Sequence, residues 1–319
     1  MKHVILAGLV AASIAAPSVA SAQAVIDNGT IRLGVSAEGQ LNNGGFGVFD
    51  IRNNVDGTRA GCACEGWGVA NAGTGVQGYA NNASGISNLT LDSFTSTGST
   101  AVSNTSLTSG GLSITHSFSP SIAADLYQVD VTITNTSGAA MTGNLLYRRL
   151  MDWDIEPTAF NEYVTIQGSN GAANVLGVNR NGFADNNGPL TFSGAYTGDF
   201  VDAGPTDHGA LFDFTFSPLA AGASQKFSIF YGASLNEASA LSALGRVGAE
   251  VYSFGQSARD INGGTPGFST FIFGFAGVGG TALPGVPEPA TWALMILGMG
   301  AVGGAMRRRT AVKARIAFA

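Results

Sequence analysis

Alternation of apolar and polar residues runs through most of this chain. In "DLYQVDVTITNTSG", Tyr127, Val129, Val131 and Ile133 point one way, while Gln128, Asp130, Thr132 and Thr134 point the other. Asn135, Thr136, Ser137 and Gly138 then supply turn chemistry. "GLSITHSFSP" sets Leu112, Ile114, His116 and Phe118 on one side, and Pro120 closes the run. "ALFDFTFSP" alternates Phe212, Phe214 and Phe216 against Asp213 and Thr215; "QKFSIFYGAS" and "FSTFIFGFAG" read as further strands. "NLTLDSF" is strand-like within a Ser/Thr-rich exposed hairpin region, and 255–267 reads as a polar, Gly-rich loop. Only "NEASALSALGRVGAE" has helical spacing, with Ala240, Leu241, Leu244 and Val247 on one face and Asn236 as its cap. Short strands separated by turns predict an all-β fold, an antiparallel β-sandwich with one short helix.

Both ends of the chain depart from this period. Met1, Lys2 and His3 precede an apolar run over 4–16, and Ala20, Ser21 and Ala22 form the small-x-small pattern that signal peptidase accepts. Cleavage before Gln23 and export follow. Residues 290–306 are almost unbroken apolar, at the lower limit of the roughly 17–25 residues that span a bilayer as a helix. Trp292 sits at one edge of that run, and Arg307, Arg308 and Arg309 close the other. The pattern predicts a single transmembrane helix with its arginines cytoplasmic and the preceding chain outside. Pro287 and Pro289 keep the approach extended.

Pro287-Glu288-Pro289, Trp292-Ala293, the Gly-rich apolar helix and the arginine triplet together resemble a PEP-CTERM sorting signal of the PEPxxWA type. The resemblance covers about residues 284–310. It implies transient anchoring in the inner membrane of a Gram-negative bacterium, with the body periplasmic. It also implies recognition near Pro287-Glu288-Pro289 by exosortase, a cysteine protease-like enzyme, and then transfer to the cell surface or beyond. Carriers of the signal often accompany exopolysaccharide and biofilm genes. "EGWGVA" and "FYGAS…AEVYSFGQ" also resemble stretches of exported proteins bearing this signal, without bringing an active site.

Charge is distributed to match. Six of the fifteen Lys and Arg residues, but only Glu288 among twenty-one acids, lie outside 23–286, which leaves the body near −11. Such a surface repels DNA and anionic lipid, so no nucleic-acid partner is expected. The only cysteines, Cys62 and Cys64, sit in "GCACEGWG". Export favours local oxidation to a disulfide over a link to a partner or a soft-metal site, for which two thiols without a His pair are poor ligands.

The most distinctive body segment is "LLYRRLMDWDIEPTAFNEYVTI". Continued as a strand, it projects Asp152, Asp154 and Glu156 from one face about 6.5–7 Å apart, with Trp153 and Ile155 opposite. Three like charges in a row call for an opposing group. Arg148 in a structural ion pair, a calcium ion and the hydroxyls of a sugar are the three answers open, and a carboxylate pair of a glycosidase is a fourth. Trp67, Trp153 and Tyr163 are either core residues or stacking platforms for sugar rings. His116 lies on an apolar strand face, and His208 in "TDHGA" reads as a turn residue beside Asp207. No GxSxG, HExxH, P-loop or EF-hand loop is present, so no catalytic residue is assigned.

These readings divide the chain into a signal peptide at 1–22, an exported β domain at 23–276 in one or two units, and a flexible linker at 277–286. The sorting signal at 287–310 and a cytoplasmic tail at 311–319 complete it. They predict an exported, exosortase-sorted surface or matrix protein, structural or polysaccharide-binding, with glycoside hydrolysis as the alternative. Its partners are signal peptidase, exosortase, the membrane and exopolysaccharide; no cofactor is expected unless calcium binds the acids.

Overall fold

The computed structural model describes residues 23–316 except 63, 183–187, 193, 262 and 286–288; in the C-terminal helix it describes the side chains of 294–307. Ala20, Ala22, Pro287 and Glu288 lie outside the described residues, while Gln23 opens the first strand.

The strands, in chain order, are β1 (Gln23–Asp27), β2 (Ile31–Ser36), β3 (Val48–Asp50), β4 (Val55–Asp56), β5 (Glu65–Asn71), β6 (Val76–Asn81) and β7 (Gly85–Ser87). β8 (Leu89–Ser96), β9 (Ala101–Leu107), β10 (Leu112–Pro120), β11 (Leu126–Asn135), β12 (Leu145–Trp153) and β13 (Glu162–Gln167) follow. The last are β14 (Val175–Asn179), β15 (Phe200–Thr206), β16 (His208–Phe216), β17 (Ser224–Ser234), β18 (Val251–Ser257) and β19 (Thr270–Ala276). They pair into three antiparallel sheets: β1-β2-β3-β4, β15-β13-β18-β19-β17-β11-β10-β9-β8, and β14-β16-β12-β5-β6-β7. The chain is therefore mostly β and antiparallel, with helices α1 (Glu237–Arg246) and α2 (Pro289–Ile316).

Period-two patterning sets the pairing. Ile114 lies opposite Ile133, His116 opposite Val131 and Phe118 opposite Val129, which puts the buried rows of β10 and β11 side by side. The nine- and six-stranded sheets meet through aromatic rings: Phe212 on Phe273, Phe214 on Phe275 and Tyr147 on Phe227, with centroids at 5.3, 4.8 and 5.0 Å. On the other face of the nine-stranded sheet, Ala240 and Leu244 of α1 pack over Phe230, Phe254 and Ile272. β17 and β19 are thus covered on both sides, which is why their sequences lose clean alternation. Asn236 caps α1 by accepting the Ser239 N–H at 2.8 Å.

Several expectations change. The segment read as a loop from Gly255 begins inside β18, an interior strand paired on both edges; a Cβ on Gly255 would stand 2.6 Å from Trp153, so only glycine fits beneath the indole. His208 is not a turn residue but the buried start of β16. Residues 277–285, read as a free linker, are tied to the body. The Glu250 carboxylate accepts the N–H groups of Gly277, Val278 and Gly280, and Leu283 donates to Ala249 O at 2.8 Å. The expected transmembrane element is a helix, yet among the described residues no helix is long and apolar enough to cross a membrane. The apolar run at 290–306 rises about 25 Å as a helix against a hydrocarbon core of about 30 Å, and four glycines dilute it.

Candidate functional site

β12 sorts its polar residues to opposite faces. Arg148 and Asp152 share one face; Arg149, Met151 and Trp153 share the other, which looks into the core. Arg148 makes a bidentate pair with Asp213 on the neighbouring β16, both contacts at 2.7 Å, and lies over the Phe192 ring. Arg149 pairs with Glu65. Both guanidinium groups are therefore turned to acids other than the Asp152 series, and the ion pair expected between Arg148 and those acids does not form.

Beyond Trp153 the strand ends. The Asp154 N–H leaves β12 to donate to Gly57 O at 2.8 Å, and a tight turn follows, with Thr158 N–H donating to Ile155 O. A regular strand would carry Glu156 onward on the same face as Asp152 and Asp154; this turn instead leaves Glu156 exposed and apart from them. Asp207, in the one-residue step between β15 and β16, arrives from the other side because Asp152 pairs with Gly209. Carboxylate oxygens of Asp152, Asp154 and Asp207 lie within 4.8 Å of one another. Asp152 and Asp154 are buried, at 6% and 0% exposure, whereas Asp207 faces solvent.

Neighbouring groups close around this cluster. Glu162, the first residue of β13, accepts the Ile155 N–H through Oε1 at 3.2 Å, while among the described residues its buried Oε2 has no donor. Among the described residues, neither buried oxygen of Asp154 receives an N–H; its hydrogen-bond partner is the Asp152 carboxyl. Cys62 and Cys64 are bonded to each other, and Cys62 Sγ stands 3.6 Å from Asp152 Oδ2. Gly61, at φ 67°, passes so close that a Cβ there would sit 2.9 Å from Asp154 Oδ2 and 2.7 Å from the ring of Phe160. Phe160 itself is half exposed at the rim.

Burial dominates the electrostatics. It pushes Asp152 up to about 8, and the charges of Asp154, Asp207 and Glu162 add to the shift. Asp154 rises to about 7 through burial and then Asp207, although the hydrogen bond with Asp152 pulls it down. Glu162 rises to about 8 through burial, against the stabilising Ile155 N–H. Burial and the nearby Arg180 hold His208 below the usual histidine range, with Asp207 opposing them.

The remaining predicted residues disperse. Trp153 is core, donating from Nε1 to Ser253 Oγ at 3.2 Å; Trp67 is core as well, donating to Glu38 O at 2.8 Å. Neither indole can stack on an external sugar, and Tyr163 is only half-buried. His116 is buried against the Tyr147 hydroxyl at 3.0 Å, and burial then Arg149 lower its pKa well below the usual range. Glu156 lines a separate cavity of about 220 Å³ with Asn53, Asn54, Pro157, Phe268 and Ser269. Sequence reasoning missed Asp207 and Glu162 as members of the cluster. Glu162 did carry a signal, since an acid that alternates with Val164 and Ile166 sits on a buried face.

In the tail, α2 begins at Pro289 and carries Trp292, Arg308 and Arg309 on its backbone path; Arg307 is exposed. Comparison with curated proteins finds no match. Among solved structures, a galactose mutarotase-like protein from Lactobacillus casei ATCC 334 is 10% identical at a TM-score of 0.35, covering 83% of this chain and 91% of its own. A protein assigned as an aldose 1-epimerase from Escherichia coli K12 is 9% identical at 0.30, covering 84% and 94%. Residues 285–309 match the family model of the PEP-CTERM protein-sorting motif, which marks the chain as an exported substrate for exosortase sorting.

Proposed function

We propose that the chain is a non-catalytic β-sandwich protein, delivered by exosortase to the cell surface or extracellular matrix, whose body at 23–276 binds polysaccharide. The observation that carries this reading is the sorting motif at 285–309, set directly after the β body. The aromatic contacts between the two large sheets support the sandwich description. Delivery then runs from signal peptidase through transient inner-membrane anchoring by the C-terminal helix to processing near Pro287-Glu288-Pro289. For the ligand, the support is the cavity at Asn53, Asn54 and Glu156, whose amides and carboxylate suit sugar hydroxyls.

Glycoside hydrolysis is less well supported. Both acids of a glycosidase must reach the scissile bond from opposite sides. Asp152 and Asp154 project side by side, and Asp154 is wholly buried.

The test is fractionation with mass spectrometry of the mature termini, in hosts with and without exosortase. Retention of an uncleaved tail in the inner membrane only when exosortase is missing is the expected result. Identical termini and location in both hosts would overturn the delivery. A pull-down of the released body with the host's own exopolysaccharide tests the ligand, and failure to retain it would remove that part.

A further inference from the structure

We propose that Asp152, Asp154 and Asp207 ligate one calcium ion at the junction of β12, β16 and the turn after Trp153. The assignment stands apart from the polysaccharide reading and survives its failure.

Three carboxylates converge within 4.8 Å, drawn from two segments more than fifty residues apart. Like charges so close repel, and solution-facing acids would turn away from each other. These are held by the fold instead. The Asp152 N–H donates to Cys64 O at 3.0 Å, the Asp154 N–H to Gly57 O, and Asp207 is carried by the strand step into β16. The independent observation is Asp154 itself. Its carboxylate is fully buried, points into the cluster, and among the described residues receives no N–H; the only polar group it meets is another acid, Asp152. A buried carboxylate in that condition carries a large desolvation penalty unless a proton or a cation answers it. The two arginines nearest in sequence are bonded to Asp213 and Glu65 and cannot supply the charge.

The donor set selects the ion. All three ligands are carboxylate oxygens, and the adjacent sulfurs are tied to each other in a disulfide rather than present as thiolates. Hard cations prefer such a set, and soft ones do not. Distance then separates calcium from magnesium. Calcium, with bonds of about 2.3–2.6 Å, accommodates oxygens up to about 5 Å apart on opposite sides; magnesium, at about 2.1 Å, reaches only about 4 Å. Oxygens anywhere within 4.8 Å of one another can be bridged by calcium without movement, whereas magnesium requires them within about 4 Å. Asp207 is exposed and provides the way in, whereas Glu162, through its bond to the Ile155 N–H, fixes the backbone next to Asp154.

The test uses the full-length protein in detergent, stripped with EDTA and titrated calorimetrically with calcium chloride and, separately, magnesium chloride. One calcium per chain with a rise in Tm is expected, and magnesium at least about tenfold weaker. Asp207→Asn, a surface change, should weaken calcium at least about tenfold with an unchanged circular dichroism spectrum. Asp154→Asn should abolish binding; if that variant does not fold, Asp207→Asn decides. A folded wild type giving no heat and no Tm shift in millimolar calcium overturns the site. So does calcium binding that Asp207→Asn leaves intact, and equal affinity for magnesium overturns the choice of ion.

Discussion

Arg149 and Glu65 form an ion pair inside the core, Nε to Oε1 at 2.5 Å, with neither side chain reaching solvent. The pair sits where all three sheets meet. Arg149 on β12 also donates to Gly39 O at 3.0 Å, in the turn after β2. Glu65 on β5 accepts the Leu41 N–H at 2.6 Å and the Tyr231 hydroxyl, from β17, at 3.1 Å. Removing one charge strands the other in a medium that cannot solvate it. Arg149→Met should therefore cost about 3–5 kcal/mol in urea denaturation. Adding Glu65→Gln to that variant should recover much of the loss, because the orphaned charge disappears. Additive losses in the double variant would contradict a coupled pair.

The carboxylate cluster makes a prediction with a definite sign. In the folded state Asp152 and Glu162 titrate near 8 and Asp154 near 7, against about 4 for exposed acids. Between pH about 4 and 8 the folded chain thus binds more protons than the unfolded one, so raising pH destabilises the fold. With EDTA present, Tm should fall as pH goes from 5 to 8 and level off above. Asp154→Asn should flatten that slope. A Tm that climbs across the same range in EDTA, with the acids intact, would show that these groups do not ionise at the fold's expense.

What the sequence revealed, and what it hid, follows from range. Tyr127, Val129, Val131 and Ile133 were legible as one buried row because a strand's period is local. The partner of Arg148 was not, since Asp213 lies 65 residues away and is found only by the pairing of β12 with β16. Asp152 and Asp154 stood out as neighbours in sequence, and they remain neighbours in space. Glu156 was grouped with them on the assumption that the strand continued; the turn after Trp153 breaks that period and sends it to another cavity. Asp207 entered the cluster through strand register, which no local pattern encodes.

Close approach at Gly61 gives a separate test of the same region. Its φ of 67° and the space left by Phe160 and Asp154 both exclude a side chain. Gly61→Ala should cost about 1–2 kcal/mol from the left-handed backbone alone. It should also displace Asp154 Oδ2 and weaken calcium. Unchanged stability and calcium affinity together would mean that the loop relaxes freely and does not shape the cluster.

Glu250 links the β body to the sorting signal. One carboxylate collects three backbone N–H groups, from Gly277, Val278 and Gly280, and Val278 is buried beneath them. Each hydrogen bond to a charged acceptor contributes about 1.5–3 kcal/mol, and three on one acceptor lock a segment whose glycines would otherwise leave it loose. Glu250→Ala should release 277–285 while β17 and β19 stay paired. The expected signature is rapid cleavage within 277–285 under limited proteolysis, with only a small fall in the global Tm. If the variant resists protease as the wild type does, the carboxylate is not what holds the segment. If instead the whole fold melts, the strap belongs to the core, and the body would not survive removal of the tail close to that point.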